Sequence, residues 1–225
     1  MAVSNDFRRG MRVCVPALPT IFTIFIGYGM AAQMANVPPL GAFAMTVAIY
    51  AAPALYAILD LSISGATLFQ LITIGILANL RFFVMSVTLS QMFRDVPLKR
   101  LLLWAQFVAM TPFLLTFFQS RREEPGNLFD YYRGISVPMI PAIIGGTAVG
   151  IALGGNAPAE LIFGATLFMP IYFSLLLAID IKSRYEMAAV GLGFTLTPFL
   201  ETLIPGWGMA ICAVGIGLTL SLAES

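Results

Sequence analysis

The run VCVPALPTIFTIFIGYGMAAQ, residues 13–33, decides the fold class because it is apolar almost throughout. A helix that spans a bilayer needs about 20 mostly apolar residues, and this run supplies them. Basic residues precede it, as they do in a signal peptide, but the apolar part is long enough to span. We therefore expect residues 13–33 to remain in the mature protein as its first transmembrane helix.

The composition of the whole chain agrees with this first helix. Apolar residues make up 59% of its 225 residues, and charged residues make up 10%. A soluble domain carries about 25% charged residues and exposes much of its surface to water. We therefore predict an all-α, polytopic transmembrane helix bundle that forms a single transmembrane domain over residues 1–225.

Eight stretches are apolar and long enough to be candidate spans. The third is too long for one straight span, so we expect it to tilt, break or extend beyond the membrane. Seven spans with one re-entrant stretch is the alternative. The eight stretches cover residues 12–33, 40–59, 63–91, 99–119, 135–153, 159–179, 187–203 and 206–222.

The distribution of Lys and Arg between loops predicts the orientation, because cytoplasmic loops are richer in these residues. With eight spans and a cytoplasmic N-terminus, eight basic residues lie inside and three outside. If residues 40–91 crossed only twice, the contrast would fall to six against five. The count favours eight spans with the N-terminus inside. The polar loop 120–134 then separates two possible halves, residues 1–119 and 135–225.

Several function classes are excluded by what the sequence lacks. The chain has no His, which removes the commonest general base and metal ligand. Cys14 and Cys212 lie in apolar runs and form neither a metal site nor a disulfide framework. The net charge of +1 does not suggest a nucleic-acid partner, and the sequence contains no phosphate-binding loop motif. We therefore predict no enzyme activity, no catalytic residue, no metal and no cofactor.

Arg81 is the sharpest polar feature, because apolar residues flank it on both sides. An Arg at the centre of a bilayer costs about 3 kcal/mol on insertion scales, and it normally faces the bundle interior. It could bind an anionic group of a substrate, such as a carboxylate, or it could form a structural ion pair or snorkel to the interface. Glu201 could pair with Arg81, carry a coupling proton, or lie at the interface.

Glycine and proline give two further signals. Gly146, Gly150 and Gly154 share one helix face, which favours close packing within the chain or against a second subunit. Pro53, Pro112, Pro170 and Pro198 each fall inside a candidate span. A proline inside a helix frees a carbonyl, and transporters use such broken helices to bind substrate near the midplane.

The triplet Asn79-Leu80-Arg81 stands at the start of ANLRFFVMSVTLSQMFRDVPLKRLLL, residues 78–103. A serine-leucine pattern at 86–89 and a short basic loop at 94–100 follow it, and LFMPIYF occupies residues 167–173. In these features the chain resembles the larger subunit of the AzlC-type branched-chain amino-acid exporters. The resemblance implies a secondary-active exporter of small amino acids in the bacterial inner membrane. It also implies a partner, a small AzlD-type membrane subunit.

The chain departs from the pattern of that family at several polar positions. Ala51-Ala52-Pro53-Ala54 stands where members often have glycine-alanine-serine-glutamine, Phe82 replaces a histidine, and Thr111-Pro112 replaces an acidic pair. An assembly role, or transport of an unrelated small metabolite, is therefore the alternative function. The polar and proline residues inside the spans, together with the family resemblance, give a set of candidate substrate-binding residues, with Glu201 as a possible coupling acid. The set is Gln70, Asn79, Arg81, Ser86, Pro53, Thr111 and Pro170.

Overall fold

A computed structural model describes residues 4–93, 96–122, 126–155, 158–181, 183–204 and 207–224. These residues form helices joined by short turns, and none of them lies in a strand. The helices are α1 Asn5–Cys14, α2 Leu18–Met34, α3 Pro39–Ile49, α4 Ala52–Ile63, α5 Leu68–Met92, α6 Leu98–Ala105, α7 Met110–Ser120, α8 Leu128–Gly154, α9 Ala159–Asp180, α10 Arg184–Leu203 and α11 Gly208–Glu224.

Three stretches of continuous helix in the described residues are long and apolar enough to cross a membrane. They are Asn5–Met34, Leu68–Met92 and Leu128–Gly154. The first of them joins α1 and α2 through one 3₁₀ turn, Val15–Ala17. The all-α prediction is confirmed, whereas the count of eight spans is not. The third predicted stretch is the unbroken helix α5, which begins at Leu68.

The centre of the bundle is a seam of glycines between α2 and α8. A Cβ placed on Gly146 would lie 2.6 Å from the carbonyl oxygen of Phe22, and one on Gly150 would lie 2.8 Å from the Cα of Gly29. Only glycine permits two backbones to approach so closely. The glycine face predicted from the sequence therefore packs inside the chain, against α2.

The same contacts show that the first two helices run parallel to α8, since residue numbers rise together along the seam. The N-terminus and the start of α8 consequently lie at one end of the bundle, where the backbone N–H of Asn127 donates to Asp6 Oδ2 at 2.8 Å. The end of α5 also lies there, because the ring of Phe93 packs 5.4 Å from that of Phe129. We name this the basic end of the bundle, residues 5–12, 96–100, 121–122 and 126–133.

The predicted span 40–59 is instead two helices, α3 and α4, that meet at Tyr50 and Ala51. Helix α4 folds back on α5, with Ile58 against Gly75, so its far end lies away from the basic end. Helix α3 starts at that same far end, since it follows α2, whose last residues lie against the end of α8: a Cβ on Gly154 would lie 3.0 Å from the Cβ of Gln33. The pair α3–α4 is therefore a hairpin that begins and ends at the far end, and one continuous helix over 40–59 is wrong.

The predicted span 99–119 is also two helices, α6 and α7, with a break at residues 106–109. This pair leaves the basic end after α5 and returns to it before α8. Its tip meets the tip of the first hairpin inside the bundle. There the Gln106 side chain donates to the carbonyls of Val47 at 2.9 Å and Ala48 at 2.8 Å, and the rings of Phe107 and Tyr50 lie 5.5 Å apart.

Helix α9 packs on α2 and completes the wall around the two tips, with the backbone of Ala165 opposite Gly27. Helices α10 and α11 form an antiparallel pair beside this core. Trp207, just before α11, lies near the start of α5, where its ring is 6.0 Å from that of Phe69. The core around the hairpin tips is thus built mainly by α2, α8 and α9.

Candidate functional site

The two hairpin tips place two helix N-termini inside the bundle. Helix α4 begins after Ala51 and helix α7 after Ala109, and neither alanine has a polar side-chain atom that could cap the first turn. Pro53 and Pro112 lie in these first turns, where a missing N–H and a fixed φ suit a helix start. The first turns of α4 and α7 therefore keep backbone N–H groups without a side-chain cap, and each helix end carries about half a positive charge.

Tyr50 forms the first tip with a backbone conformation that is rare for an aromatic residue. Its φ of 51° and ψ of 23° are left-handed, and its N–H donates to the carbonyl of Thr46 at 3.1 Å. Such a conformation costs about 1–3 kcal/mol and persists only where the surroundings enforce it. The side chain is 5% exposed, and its hydroxyl has no hydrogen-bond partner among the described residues.

A cavity of about 190 Å³ lies where the two tips face α5, α8 and α9. Both helix starts line it, at Ala52 and at Met110. The polar side chains that line it are Tyr50, Arg81, Thr111 and Tyr172. Its aliphatic and aromatic wall includes Ile21, Ile24, Phe25, Leu114, Met139 and Ile143.

Arg81 lies near the middle of α5. At a rise of about 1.5 Å per residue it is roughly 20 Å from Leu68 and roughly 16 Å from Met92. The side chain is exposed, and its guanidinium lies 4.8 Å from the ring centre of Phe82. Within the described part of the chain it has no ion pair or hydrogen bond. A cation at this depth normally faces a water-filled cavity or a counter-charge, and Arg81 lines the cavity.

The electrostatics of this cavity favour an anion. The guanidinium supplies one full positive charge, and the starts of α4 and α7 each add about half a charge. None of the described residues that line the cavity carries a carboxylate. A planar guanidinium suits a carboxylate, which it can bind through two parallel hydrogen bonds. The cavity thus combines a carboxylate-binding group with an apolar wall.

The comparison with protein-family models gives one match, to the model described as AzlC protein, over residues 16–156. The chain belongs to the AzlC family. The match runs from the 3₁₀ turn after α1 to just past α8, so it contains both hairpins, α5 and Arg81. The resemblance seen in the sequence is confirmed, and the apolar helices and the AzlC family together indicate a multi-pass membrane protein with a transporter-related function.

No curated protein and no solved structure matches this AzlC-family chain. The cargo and the partner of this chain therefore have no support from a named relative.

The structure brings together three of the candidate substrate-binding residues of this AzlC-family protein. Arg81, Pro53 and Thr111 line the same cavity. Asn79 lines a neighbouring cavity of about 590 Å³ between α3, α5 and α6, and its amide donates to the carbonyl of Gly75 at 2.7 Å. Residues two apart on a helix point about 200° apart, so Asn79 and Arg81 cannot face one site.

The remaining candidates lie elsewhere in this AzlC-family fold. Ser86 donates to the carbonyl of Phe82 and lines a third cavity near the basic end. Gln70 forms a capping box with Thr67 at the start of α5. Pro170 is exposed on α9, and Glu201 packs against Gly208 where α10 meets α11. The role of Glu201 as a coupling acid stays a prediction.

Two aromatic residues of the cavity were missed in the sequence. Tyr172 lies in the LFMPIYF run, and Tyr50 comes just before the Ala-Ala-Pro sequence that departs from the AzlC pattern. Their hydroxyls are inconspicuous in apolar surroundings. The signal that could have found Tyr50 is Pro53, since a proline in the first turn of a helix marks a helix start rather than a kink.

Proposed function

We propose that this chain is the larger subunit of a secondary-active exporter of small amino acids, branched-chain or related. The observation that carries the proposal is the meeting of two re-entrant tips around Arg81 near mid-depth. Transporters place substrate at such points, because unwound helices present backbone groups there without exposing them to lipid. The apolar wall suits an aliphatic side chain, and the guanidinium suits the carboxylate.

A small AzlD-type membrane subunit completes the proposal. Helix α5 buries only Ile74 and Leu89 in this chain and leaves large apolar side chains exposed on both sides of Arg81, including Ile76 and Phe83. A neighbouring subunit on α5 would shield the open side of Arg81 from lipid. An arginine that faced lipid at this depth would be costly, so cover by protein favours the paired arrangement.

The distribution of charge supports a cytoplasmic N-terminus in a bacterial inner membrane. Of the 12 Lys and Arg residues, Arg81 lies in the cavity, and Arg94 and Lys182 lie outside the described residues. Eight of the other nine belong to the basic end. The ninth, Arg184, stands at the start of α10 and follows α9, which runs from the far end to the basic end. A basic end that faces the cytoplasm satisfies the positive-inside rule.

This topology is testable with epitope tags inserted after residues 65, 96 and 122. Six crossings with two re-entrant hairpins place the three tags outside, inside and inside, in that order. Eight consecutive crossings place the same tags inside, outside and inside. Antibody access in intact cells and in inverted vesicles distinguishes the two, and an external tag at 96 would contradict the re-entrant α3–α4 pair. A tag at the N-terminus serves as the internal reference.

Efflux of radiolabelled leucine from proteoliposomes tests the function. We expect the chain reconstituted with its small subunit to release leucine faster than liposomes that contain the small subunit alone. If the pair moves no amino acid but releases another small metabolite, the alternative cargo is correct. If it moves nothing although both chains are folded, an assembly role replaces transport. We propose no catalytic activity for this chain in any of these cases.

A further inference from the structure

Three independent groups at the cavity of the hairpin tips suit the carboxylate end of a ligand. They are the Arg81 guanidinium and the uncapped starts of α4 and α7, which all line the same space. Tyr50 also lines this space, and its hydroxyl is buried and has no partner in the described residues. A buried hydroxyl normally forms a hydrogen bond, so an unpaired one in a cavity wall indicates a polar atom supplied from outside the chain.

An ammonium finds a less favourable environment in this cavity. Among the described residues that line it, none carries a carboxylate as a counter-charge, and Arg81 and the two helix starts present positive charge to a cation. The negative end of α3 also points to the tip and would otherwise suit a cation. Three of the last carbonyls of α3 are already used, however, since those of Val47 and Ala48 accept from Gln106 and that of Thr46 accepts from the Tyr50 N–H.

We propose that the ligand class of this cavity is the aliphatic monocarboxylate, and that the α-amino group of an amino acid is not required for binding. The inference rests on the proposed transport function for its biological meaning, since it concerns the same cavity. It goes further by assigning the carboxylate to Arg81 and the two helix starts, and the alkyl group to the wall that includes Ile24, Met139 and Ile143. The 2-oxo acid of a branched-chain amino acid then fits the site as well as the amino acid itself.

Three probes with the same isobutyl group separate the contributions. Leucine carries both charges, 4-methyl-2-oxopentanoate carries only the carboxylate, and 3-methylbutylamine carries only the ammonium. We expect the oxo acid to bind the purified full-length protein at least as tightly as leucine, and the amine not to bind at millimolar concentrations. Isothermal titration calorimetry in detergent near neutral pH measures this directly, without any transport step.

Variants assign the binding to the cavity. Arg81→Gln is expected to weaken both carboxylate probes by about 10- to 100-fold, the usual loss for a charge-assisted hydrogen bond. Tyr50→Phe, which removes only the hydroxyl, is expected to weaken them by about 2- to 10-fold. Arg100→Gln is the matched control, since Arg100 lies at the basic end and outside this cavity. Melting curves without ligand check that each variant is folded. If Arg81→Gln is not folded, Arg81→Lys is tested in its place, because it retains the positive charge.

Binding of the amine, or leucine binding more than about tenfold tighter than the oxo acid (about 1.4 kcal/mol), would overturn the inference. Failure of both carboxylates to bind, or unchanged binding in Arg81→Gln, would overturn it as well. The proposed function fails separately. If the chain and its small subunit bind the carboxylates in this order but release no leucine from proteoliposomes, the proposed amino-acid export is wrong. The proposed ligand class would still hold.

Discussion

Replacing Arg81 with Ala is expected to reduce leucine efflux by at least about 30-fold, which corresponds to roughly 2 kcal/mol. Among the described residues that line the cavity at the hairpin tips, Arg81 alone carries a full charge, and its substitution leaves the two helix starts to attract a carboxylate. Efflux from proteoliposomes with matched amounts of both subunits measures the effect. The protein should still fold, because Arg81 has no ion pair within the described residues whose loss would destabilise it.

Two further variants show whether the loss belongs to the site. Arg81→Lys keeps a positive charge but loses the planar fork that binds a carboxylate through two hydrogen bonds, so efflux should fall to an intermediate value. Arg100→Ala removes a basic residue from the start of α6, outside the cavity, and should leave efflux within about twofold of wild type. Wild-type efflux by Arg81→Ala at wild-type abundance would show that Arg81 is not part of the binding site.

The long continuous helices could be predicted from the sequence, because a helix that spans a bilayer needs a long apolar stretch. Residues 13–33 and 135–153 are apolar and long, and both lie within the continuous rods Asn5–Met34 and Leu128–Gly154. The stretches 40–59 and 99–119 satisfied the same requirement and are nevertheless broken. Apolar composition indicates that a segment is shielded from water, but it does not indicate whether the segment crosses the membrane or returns to the side it came from.

The breaks between α3 and α4 and between α6 and α7 were not predicted, because the prolines beside them were assigned to a different geometry. Pro53 and Pro112 were interpreted as possible kinks inside spans, whereas both stand in the first turn of a half-helix. The side-chain hydrogen bonds that join the tips, from Gln106 to Val47 and Ala48, connect residues 58 and 59 positions apart in sequence. Such long-range contacts leave no periodic pattern in either segment.

The candidate site was predicted in part for a similar reason. Arg81 is conspicuous in any apolar helix, and its place in the cavity follows from the cost of charge in lipid. Asn79 was grouped with it because the two stand close together in sequence. On α5 they point to opposite sides, and Asn79 lines the cavity on the α3 and α6 side instead. Sequence proximity within a helix therefore predicted a shared site that the helical geometry does not permit.

Replacing Gly150 with Leu is expected to abolish folded protein, and the smaller change Gly150→Ala to lower the free energy of unfolding by about 3 kcal/mol. A Cβ on Gly150 would meet the carbonyl of Ile26, and it would lie 2.8 Å from the Cα of Gly29 and 3.0 Å from the carbonyl carbon of Ile26. These atoms belong to the backbone of α2, so no side chain can rotate away and the two helices must separate. Thermal unfolding in detergent and the yield of monodisperse protein measure the effect.

Gly145 supplies the matched control on the same helix. A Cβ there would meet only Cε2 of Phe22, at 3.4 Å, which is an ordinary contact with a side chain. Gly145→Ala should therefore unfold at or above the wild-type temperature, since alanine favours the helix by about 1 kcal/mol over glycine. If Gly150→Ala and Gly145→Ala unfolded alike, the close approach of α2 and α8 would not be what holds the bundle together. The seam also positions part of the site, because the two helices that it joins, α2 and α8, supply Ile24, Met139 and Ile143 to the wall of the cavity.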